Sequence, residues 1–312
     1  MIKKKTVLVL GAGASMPYGL PSGSQLMQEI LGGISKKGNA LFRRLQDLGN
    51  DPSEIDSFHE NLLHSDQPSV DAFLEHWPRF LNMGKEAMAA CLIPKENKSQ
   101  FPHRGIQKGD SWYQYLMGKL SVSSPDEFTK NKLAIVTFNY DRSIEYYLFN
   151  TLKHRYNLQD KECADLINKI PIIHVHGSLG KLPWQGHPSR PYGPKRFTPH
   201  GADMSDAEIR AASNQIIVVS EADKRSREFK KAFQVMDSAK KIFFLGFGYY
   251  ELNLKRLRIK SITGYPDYGE DVYGTSYGMG NSDLEIINRG WNIKFKDPVK
   301  IYDFLRNHVI LE

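Results

Sequence analysis

The chain has 312 residues, of which 40% are hydrophobic and 25% are charged, and its formal net charge is +7 at neutral pH. This length suffices for one large domain or two smaller ones, and the composition is that of a folded globular protein rather than a disordered one. Two distant cysteines, Cys91 and Cys163, exclude a four-thiolate zinc site and argue against a disulfide framework. No apolar stretch approaches the roughly 20 residues that a membrane-spanning helix needs.

The charged segments of the chain indicate its location and the kind of partner it meets. Lysines 3–5 precede a short apolar run that ends in a glycine turn rather than a cleavage site, so we expect a cytoplasmic protein with no membrane contact. The positive charge suits an anionic partner but is spread along the chain. The basic clusters at 223–231 and 255–260 look like solvated helix faces, so we expect nucleic acid only within a larger complex.

The first predicted element is a strand over 6–10, a continuous apolar run that is typical of a buried parallel strand. It runs into GAGAS at 11–15, where the glycines let a ligand approach the backbone closely. A helix that followed would offer free N–H groups to a phosphate, which predicts a diphosphate nucleotide; the alternative is a tight turn without a ligand. The segment lacks the lysine motif of a phosphate-loop NTPase, and Met16 replaces the third glycine of a dehydrogenase fingerprint.

The remaining elements predict an α/β fold with a parallel sheet covered on both faces. Further strands are predicted at 133–138, 171–175, 215–219 and 241–247, with helices at 142–154 and 224–239. The interval from about 24 to 130 has no strong strand signal and is interpreted as an inserted helical module, with a helix over 69–82. The intervals 181–213 and 262–282 are predicted to be irregular loops.

Polar residues follow two of the predicted strands. The strand ending in TFNYD, 137–141, delivers Thr137, Asn139 and Asp141 to the carboxyl edge of the sheet, where open α/β sheets bind ligands. The alternative interpretation is that they form a turn and a helix cap, which explains Asp141 but does not require an Asn before it.

The strand ending in HVHGS, 174–178, carries two histidines with i, i+2 spacing. As metal ligands, His174 and His176 have no evident third partner, so no metal site is predicted. A histidine at the sheet edge beside a glycine turn is a candidate general base, because imidazole titrates near neutral pH. The alternative, a structural histidine, fits His174 better than His176.

A second strand–glycine–helix junction occurs in FLGFGY at 244–249. Two such junctions in one chain fit a dinucleotide that is held from two places.

Taken in this order, the motifs resemble those of the sirtuin fold family, and in particular its prokaryotic branch of sirtuin-like NAD+ hydrolases used in antiviral defence. The similarity spans nearly the whole chain and rests on GAGAS followed by GLPSG (19–23), on TFNYD, on HVHGS and on FLGFGY, with SVDAFLE (69–75) similar to a segment of the branch's helical module. It implies one domain over 1–312 with a Rossmann-like parallel sheet of the sirtuin type. The core would comprise 1–23 and 131–312, with the helical module at about 24–130 and no zinc ribbon.

The sequence also departs from the protein-deacylating members of that family. Those enzymes carry Asp-Phe-Arg after their Gly-Ile-Pro, whereas Ser22-Gly23-Ser24 follows Gly19-Leu20-Pro21 here. They also carry a four-cysteine zinc module, which this chain cannot build. Deacylation is therefore not expected.

The resemblance also implies roles for individual residues. Asn139 would position the ribose and the attacking water, and His176 would act as the base. Asp141 would orient the surroundings of the nicotinamide ribose. The residues implied in NAD+ binding are Gly11, Ala12, Gly13, Ser15, Thr137, Phe138, Asp141, Gly246, Phe247 and Gly248. The first four would lie at the diphosphate and nicotinamide end and the last three at the adenosine side.

We therefore expect an NAD+ glycohydrolase that consumes NAD+ as its substrate and uses no metal. Cleavage of the nicotinamide–ribose bond develops positive charge on the sugar, as in glycoside hydrolysis, and needs an oriented water and a base. Such an enzyme, acting in antiphage abortive infection, needs a trigger. Because the chain ends soon after the last predicted strand, we expect control by homo-oligomerisation or by a separate partner, a HerA-type ATPase first and an Argonaute-like protein second. The alternatives are an NAD+ or ADP-ribose-binding subunit without turnover, and a complex that acts on nucleic acid.

Overall fold

A six-stranded, all-parallel sheet is the centre of the structure, a computed structural model that describes residues 1–98, 111–185, 205–218, 227–264 and 272–312. The strands are β1 (Thr6–Leu10), β2 (Leu133–Thr137), β3 (Ile172–His174), β4 (Lys241–Leu245), β5 (Val272–Gly274) and β6 (Lys294–Phe295). Their order is β3-β2-β1-β4-β5-β6. This is a Rossmann-like order, and its direction reverses between β1 and β4, the position at which such sheets bind ligands. The predicted α/β class with a parallel sheet is confirmed.

Fifteen α-helices lie within the described residues. They are α1 (Gly23–Ile34), α2 (Ala40–Asp47), α3 (Pro52–His64), α4 (Val70–His76), α5 (Leu81–Lys98), α6 (Trp112–Leu120), α7 (Pro125–Phe128), α8 (Ser143–Tyr156), α9 (Asp160–Ile167), α10 (Asp206–Ser213), α11 (Arg227–Asp237), α12 (Glu251–Arg256), α13 (Ile259–Thr263), α14 (Asn281–Trp291) and α15 (Ile301–Asn307). In the described part of the chain, no helix combines the length and the hydropathy that crossing a membrane requires.

Alternation along the central strands assigns side chains to the two faces of the sheet. Leu8 and Leu10 face a core built with α6, α8, α9 and α15, whereas Val7 and Val9 face a core built with α11 to α14. Because both faces are covered, the strands read as continuous apolar runs, which is why the sequence reveals them.

A third core belongs to the helices α1 to α5 and includes α10. Within the interval predicted as a helical module, α6 packs against the sheet instead, through Trp112 and Leu116 among others. The helical core is joined to the sheet by a buried ion pair between Glu96 of α5 and Arg142, whose backbone N–H also donates to Glu96 Oε1 at 2.8 Å. The end of α5 is therefore fixed to the segment that follows β2.

The structure differs from several sequence predictions. The predicted loop at 181–213, of which 186–204 lie outside the described residues, contains α10, and the helix predicted over 69–82 is divided into α4 and the start of α5 by a 3-10 turn at Pro78–Phe80.

The strand predicted at 215–219 is wrong in its described part, 215–218, where Ile216 makes only an isolated antiparallel bridge with Gly177. Its apolar side chains are divided between cores, with Ile216 in the helical core and Ile217 beside the sheet. The predicted loop at 262–282 contains β5, a three-residue strand whose flanking residues 265–271 lie outside the described residues.

The turns that follow β1 and β4 pack backbone against backbone. Gly11 N–H donates to Leu245 O and Gly13 N–H to Gly246 O, both at 3.0 Å. Gly246 has φ +56°, a left-handed conformation, and a Cβ at this position would overlap Ala14 N and lie 2.7 Å from Gly13 Cα. Glycine is therefore required here both for its conformation and for the absence of a side chain.

We expect Gly246→Ala to lower the free energy of unfolding by about 2–4 kcal/mol, from the left-handed conformation and the steric overlap together. Gly32→Ala is the matched control, because Gly32 is an exposed residue of α1 with no atom within 4 Å of the added Cβ. The control should leave stability unchanged or raise it by up to about 1 kcal/mol. Denaturant unfolding of both variants measures the difference, and equal effects would contradict the close packing of the two turns.

Candidate active site

Two adjoining cavities lie at the carboxyl edge of the sheet, where the strand order reverses. The first has a volume of about 370 Å³ and extends from the β1 turn towards the helical core. The second has a volume of about 620 Å³ and extends towards β5 and the start of α15. Residues that line both cavities are Ala12, Ser22, Gly23, Phe247 and Gly248. Together the cavities form an elongated site over the two glycine turns.

The structure brings most of the predicted site residues to this place. Those that line the first cavity are Gly11, Ala12, Ser15, Phe138, Asn139, Asp141, His176, Phe247 and Gly248. Those that line the second are Ala12, Gly13, Gly246, Phe247 and Gly248. Thr137 lines neither cavity. Its hydroxyl accepts from the backbone N–H of Asn139 at 3.1 Å, so Thr137 supports a site residue rather than facing the cavity.

No long helix follows the glycine turn directly. Two 3-10 turns, Ala12–Ala14 and Met16–Tyr18, come first, and α1 begins only at Gly23, where Ser22 caps it. Because Ser22 and Gly23 line both cavities, the positive end of the α1 dipole still faces the site. The predicted helix N-terminus is therefore present, but it is supplied by a later part of the chain.

Asn139 is held so firmly that the orientation of its carboxamide is determined. Nδ2 donates to Gly11 O and to Ser15 Oγ, both at 2.9 Å. Since a carbonyl oxygen can only accept, the atom facing Gly11 O must be the nitrogen. The residue is 8% exposed and lines the first cavity. Its carboxamide oxygen is therefore the group that can accept a hydrogen bond from a ligand or from water.

His176 is buried, and its ring lies beside Phe138 and Phe229. Nδ1 is 3.2 Å from Ile217 O, and this contact requires the proton on Nδ1. Nε2 then carries a lone pair; among the described residues it makes no hydrogen bond of regular geometry, although the Asn253 side chain lies near it and favours the protonated ring in part. Burial, assisted by the positive charge of Arg256, lowers the pKa of His176 to about 4, so the ring is neutral at physiological pH.

Asp141 combines two roles that the sequence left as alternatives. Its Oδ1 accepts from the N–H of Ser143, the first residue of α8, at 3.1 Å, although the N-cap position itself is Arg142, and the residue also lines the first cavity. Burial raises the pKa of Asp141, while the polar groups of Ser143 and Ser15 lower it in part. Ser15 therefore lies between Asn139 and Asp141 and connects them.

His174 does not line either cavity. Its ring lies between Asn139 O, 2.9 Å from Nδ1, and Glu145 Oε1, 2.6 Å from Nε2. Both ring nitrogens are satisfied, as the structural interpretation of this histidine predicts. In the part of the chain that the structure describes, no group of three or more His, Cys, Asp or Glu residues could hold a metal ion.

Several residues of the first cavity were not found by sequence reasoning. Ser69, Asp71 and Glu75 come from the α4 region, and Asn253 comes from α12. The hydroxyl of Tyr140 donates to Asp71, whose pKa is raised by burial and lowered in part by this bond. The SVDAFLE segment carried a signal for Ser69 and Asp71 through the resemblance. Asn253 carried none, because only the tertiary fold brings α12 to the cavity.

No protein-family model matches this chain, and a search of curated proteins finds no match.

The buried, neutral state of His176 predicts how stability depends on pH. Because its folded pKa, about 4, lies below the ordinary value of 6.5, the unfolded chain binds a proton more readily over this range. The stability contributed by the neutral ring is therefore present above pH 6.5 and is lost as the pH falls towards 4. The loss amounts to about 3 kcal/mol at most.

We expect His176→Gln to remove this loss, so that the difference in unfolding free energy between wild type and variant shrinks as the pH falls from 6.5 to 4. Denaturant unfolding at several pH values measures this difference. The contributions of other titrating groups cancel in it because both proteins share them. His154→Gln, at an exposed histidine of α8, is the control and should follow the wild-type profile. A constant difference between wild type and His176→Gln would contradict the neutral buried ring.

Proposed function

We propose that this chain is an NAD+ glycohydrolase of the sirtuin-like type, which cleaves NAD+ to nicotinamide and ADP-ribose. The observation that carries the proposal is the pairing of two side chains in one cavity. Asn139 presents a fixed carboxamide oxygen, and His176, in the wall of the same cavity, holds a neutral ring whose Nε2 is buried beside the Asn253 side chain. A group that orients water and a group that accepts its proton are what hydrolysis at a sugar carbon needs.

The charges that line the two cavities support one orientation of a dinucleotide. The described lining of the first cavity includes the carboxyl groups of Asp71, Glu75 and Asp141 and contains no Lys or Arg. The described lining of the second includes Lys300 and contains no Asp or Glu. A positively charged nicotinamide ring therefore fits the first cavity, and an anionic phosphate and adenosine end fits the second.

The residues would divide the reaction as follows. The bond between the nicotinamide nitrogen and the sugar carbon breaks with its electron pair on nicotinamide, which leaves as a neutral molecule and needs no acid. The carboxamide oxygen of Asn139 would accept a hydrogen bond from water and direct the water oxygen to the sugar carbon. Nε2 of His176 would take the proton. A pKa of about 4 makes His176 a weak base, and the developing positive charge on the sugar supplies the drive for this proton transfer.

The resemblance extends the proposal to a biological setting. We propose an antiphage effector of the cytoplasm that depletes NAD+ in infected cells. Since continuous NAD+ cleavage would be lethal, its activity would depend on homo-oligomerisation or on a separate partner, a HerA-type ATPase before an Argonaute-like protein. Turnover that rises with protein concentration would support control by assembly, and full activity of the isolated monomer would count against it.

We expect Asn139→Ala to reduce nicotinamide release from NAD+ by about 10²–10³-fold, which is typical of losing one group that stabilises the reacting centre. The test is nicotinamide release by the purified full chain over a range of protein concentrations. Asn214→Ala, at an exposed asparagine after α10, is the matched control and should retain wild-type turnover. Unchanged release from Asn139→Ala would refute the assignment of this site.

Calorimetric measurement of NAD+ binding on the same samples distinguishes a glycohydrolase from a binding subunit without turnover. If wild type binds NAD+ but releases no nicotinamide at any concentration, the chain alone is a binding subunit. Asn139→Ala should retain the second cavity, so its affinity for ADP-ribose should fall far less than its turnover.

A further inference from the structure

One buried ion pair outside the cavities contacts the backbone of Asn139. His174 is the last residue of β3 and lies in register with Thr137 of β2. Its ring is placed between two oxygens, Asn139 O at 2.9 Å from Nδ1 and Glu145 Oε1 at 2.6 Å from Nε2. The side chain of Glu145 is 2% exposed and that of His174 is 13% exposed, so the pair is shielded from solvent.

The two flanking oxygens determine how many protons the pair carries. A backbone carbonyl can only accept, so Nδ1 must hold a hydrogen. The contact at Nε2 then requires a second hydrogen, shared with the carboxyl group of Glu145. The pair is therefore a doubly donating imidazolium beside a carboxylate. If the ring loses one proton, the carboxylate is the stronger acceptor and keeps the remaining hydrogen on Nε2, so that Nδ1 and Asn139 O face each other with lone pairs only.

The charged groups around the ring favour this state. Burial by itself lowers the pKa of His174, but the Glu145 carboxylate, the Asn139 carbonyl and the charge of Asp141 raise it above its ordinary value. Among the described residues these come from α8 and from the segment between β2 and α8. The adjacent cation, Arg142, is neutralised by its own buried partner Glu96.

The pair completes a set of hydrogen bonds that fix Asn139 at every polar group except its side-chain oxygen. The backbone N–H of Asn139 donates to Thr137, Nδ2 donates to Gly11 and Ser15, and the backbone carbonyl accepts from His174. Without the last bond, the peptide that carries Asn139 would lose one of its anchors, and the position of its side-chain oxygen would be fixed less closely.

We infer that His174 and Glu145 are positioning residues for Asn139. When the imidazolium loses one proton at high pH, the Glu145 carboxylate keeps the remaining hydrogen on Nε2, so that Nδ1 no longer donates to the Asn139 carbonyl and turnover falls. The inference rests on the proposed function of the cavity. Neither residue touches the cavity, so their effect should appear in kcat and in its pH profile rather than in KM.

The test compares the pH profile of nicotinamide release by the full chain in wild type and in Glu145→Gln. Glutamine removes the charge that keeps the hydrogen on Nε2, and its amide can donate to Nε2 instead, so the neutral ring keeps its hydrogen on Nδ1 and remains bound to the Asn139 carbonyl. We expect the alkaline limb of kcat to disappear in this variant, with KM for NAD+ nearly unchanged. His154→Gln is the control and should keep the wild-type profile. A fall of kcat by the same factor at every pH would indicate a merely structural role and would overturn the inference.

A second measurement does not depend on activity. In the full chain labelled at histidine and asparagine, the His174 ring and the Asn139 carbonyl carbon should titrate together by NMR, with His174→Gln assigning the ring. In Glu145→Gln the ring should titrate at lower pH by about one unit, because the neighbouring charge is lost, and the Asn139 carbonyl should no longer follow it. If the Asn139 carbonyl of the wild type does not respond to the titration of His174, the inference is wrong whether or not the chain cleaves NAD+. Absence of nicotinamide release with a shared titration would count against the proposed function, and would leave the pairing itself established.

Discussion

The hydrogen bond from Gly13 N–H to Gly246 O joins the turns after β1 and β4, and the geometry of the site depends on this contact. The two turns belong to neighbouring strands at the position where the order of the sheet reverses. Because no side chain fits at this contact, the backbone of the two turns forms the base of both cavities. This backbone also provides the acceptor, Gly11 O, that orients Asn139. A backbone contact between two strand ends thus determines where the polar side chains can lie.

The polar residues of the site are held mainly by backbone groups of neighbouring elements. Asn139 is bound to the β1 turn, and His176 is bound to Ile217, which follows α10. His174, at the end of β3, is hydrogen-bonded to the backbone carbonyl of Asn139. Hydrogen bonds among buried groups are strong and directional because little water competes with them. Three separate strand ends are therefore tied into one arrangement, and its precision comes from rigid elements rather than from the irregular segments around it.

The sequence predicts the central strands well because burial on both faces leaves continuous apolar runs, as at Thr6–Leu10 and Lys241–Leu245. The two strands at one edge of the sheet were not predicted, because they are short: β5 has three residues, and β6 has two half-buried ones. An apolar run also misleads at 215–218, where the residues are buried between layers rather than in a sheet. Asn139 and His176 were found because they follow predicted strands. Glu145 and Asn253 were not, because their proximity to the site arises only from the packing of helices.

The buried carboxyl groups of the first cavity determine which ligand charge suits it. Burial raises the pKa of both Asp71 and Asp141, which means that the protein itself does not compensate their negative charge fully. Such uncompensated burial lowers stability and is typical of sites whose charges are matched by a ligand. A cationic ring in the first cavity would lower both pKa values again, and an anionic ligand would raise them further. The burial that raises the pKa of these carboxyl groups therefore also makes the first cavity favourable for a cation.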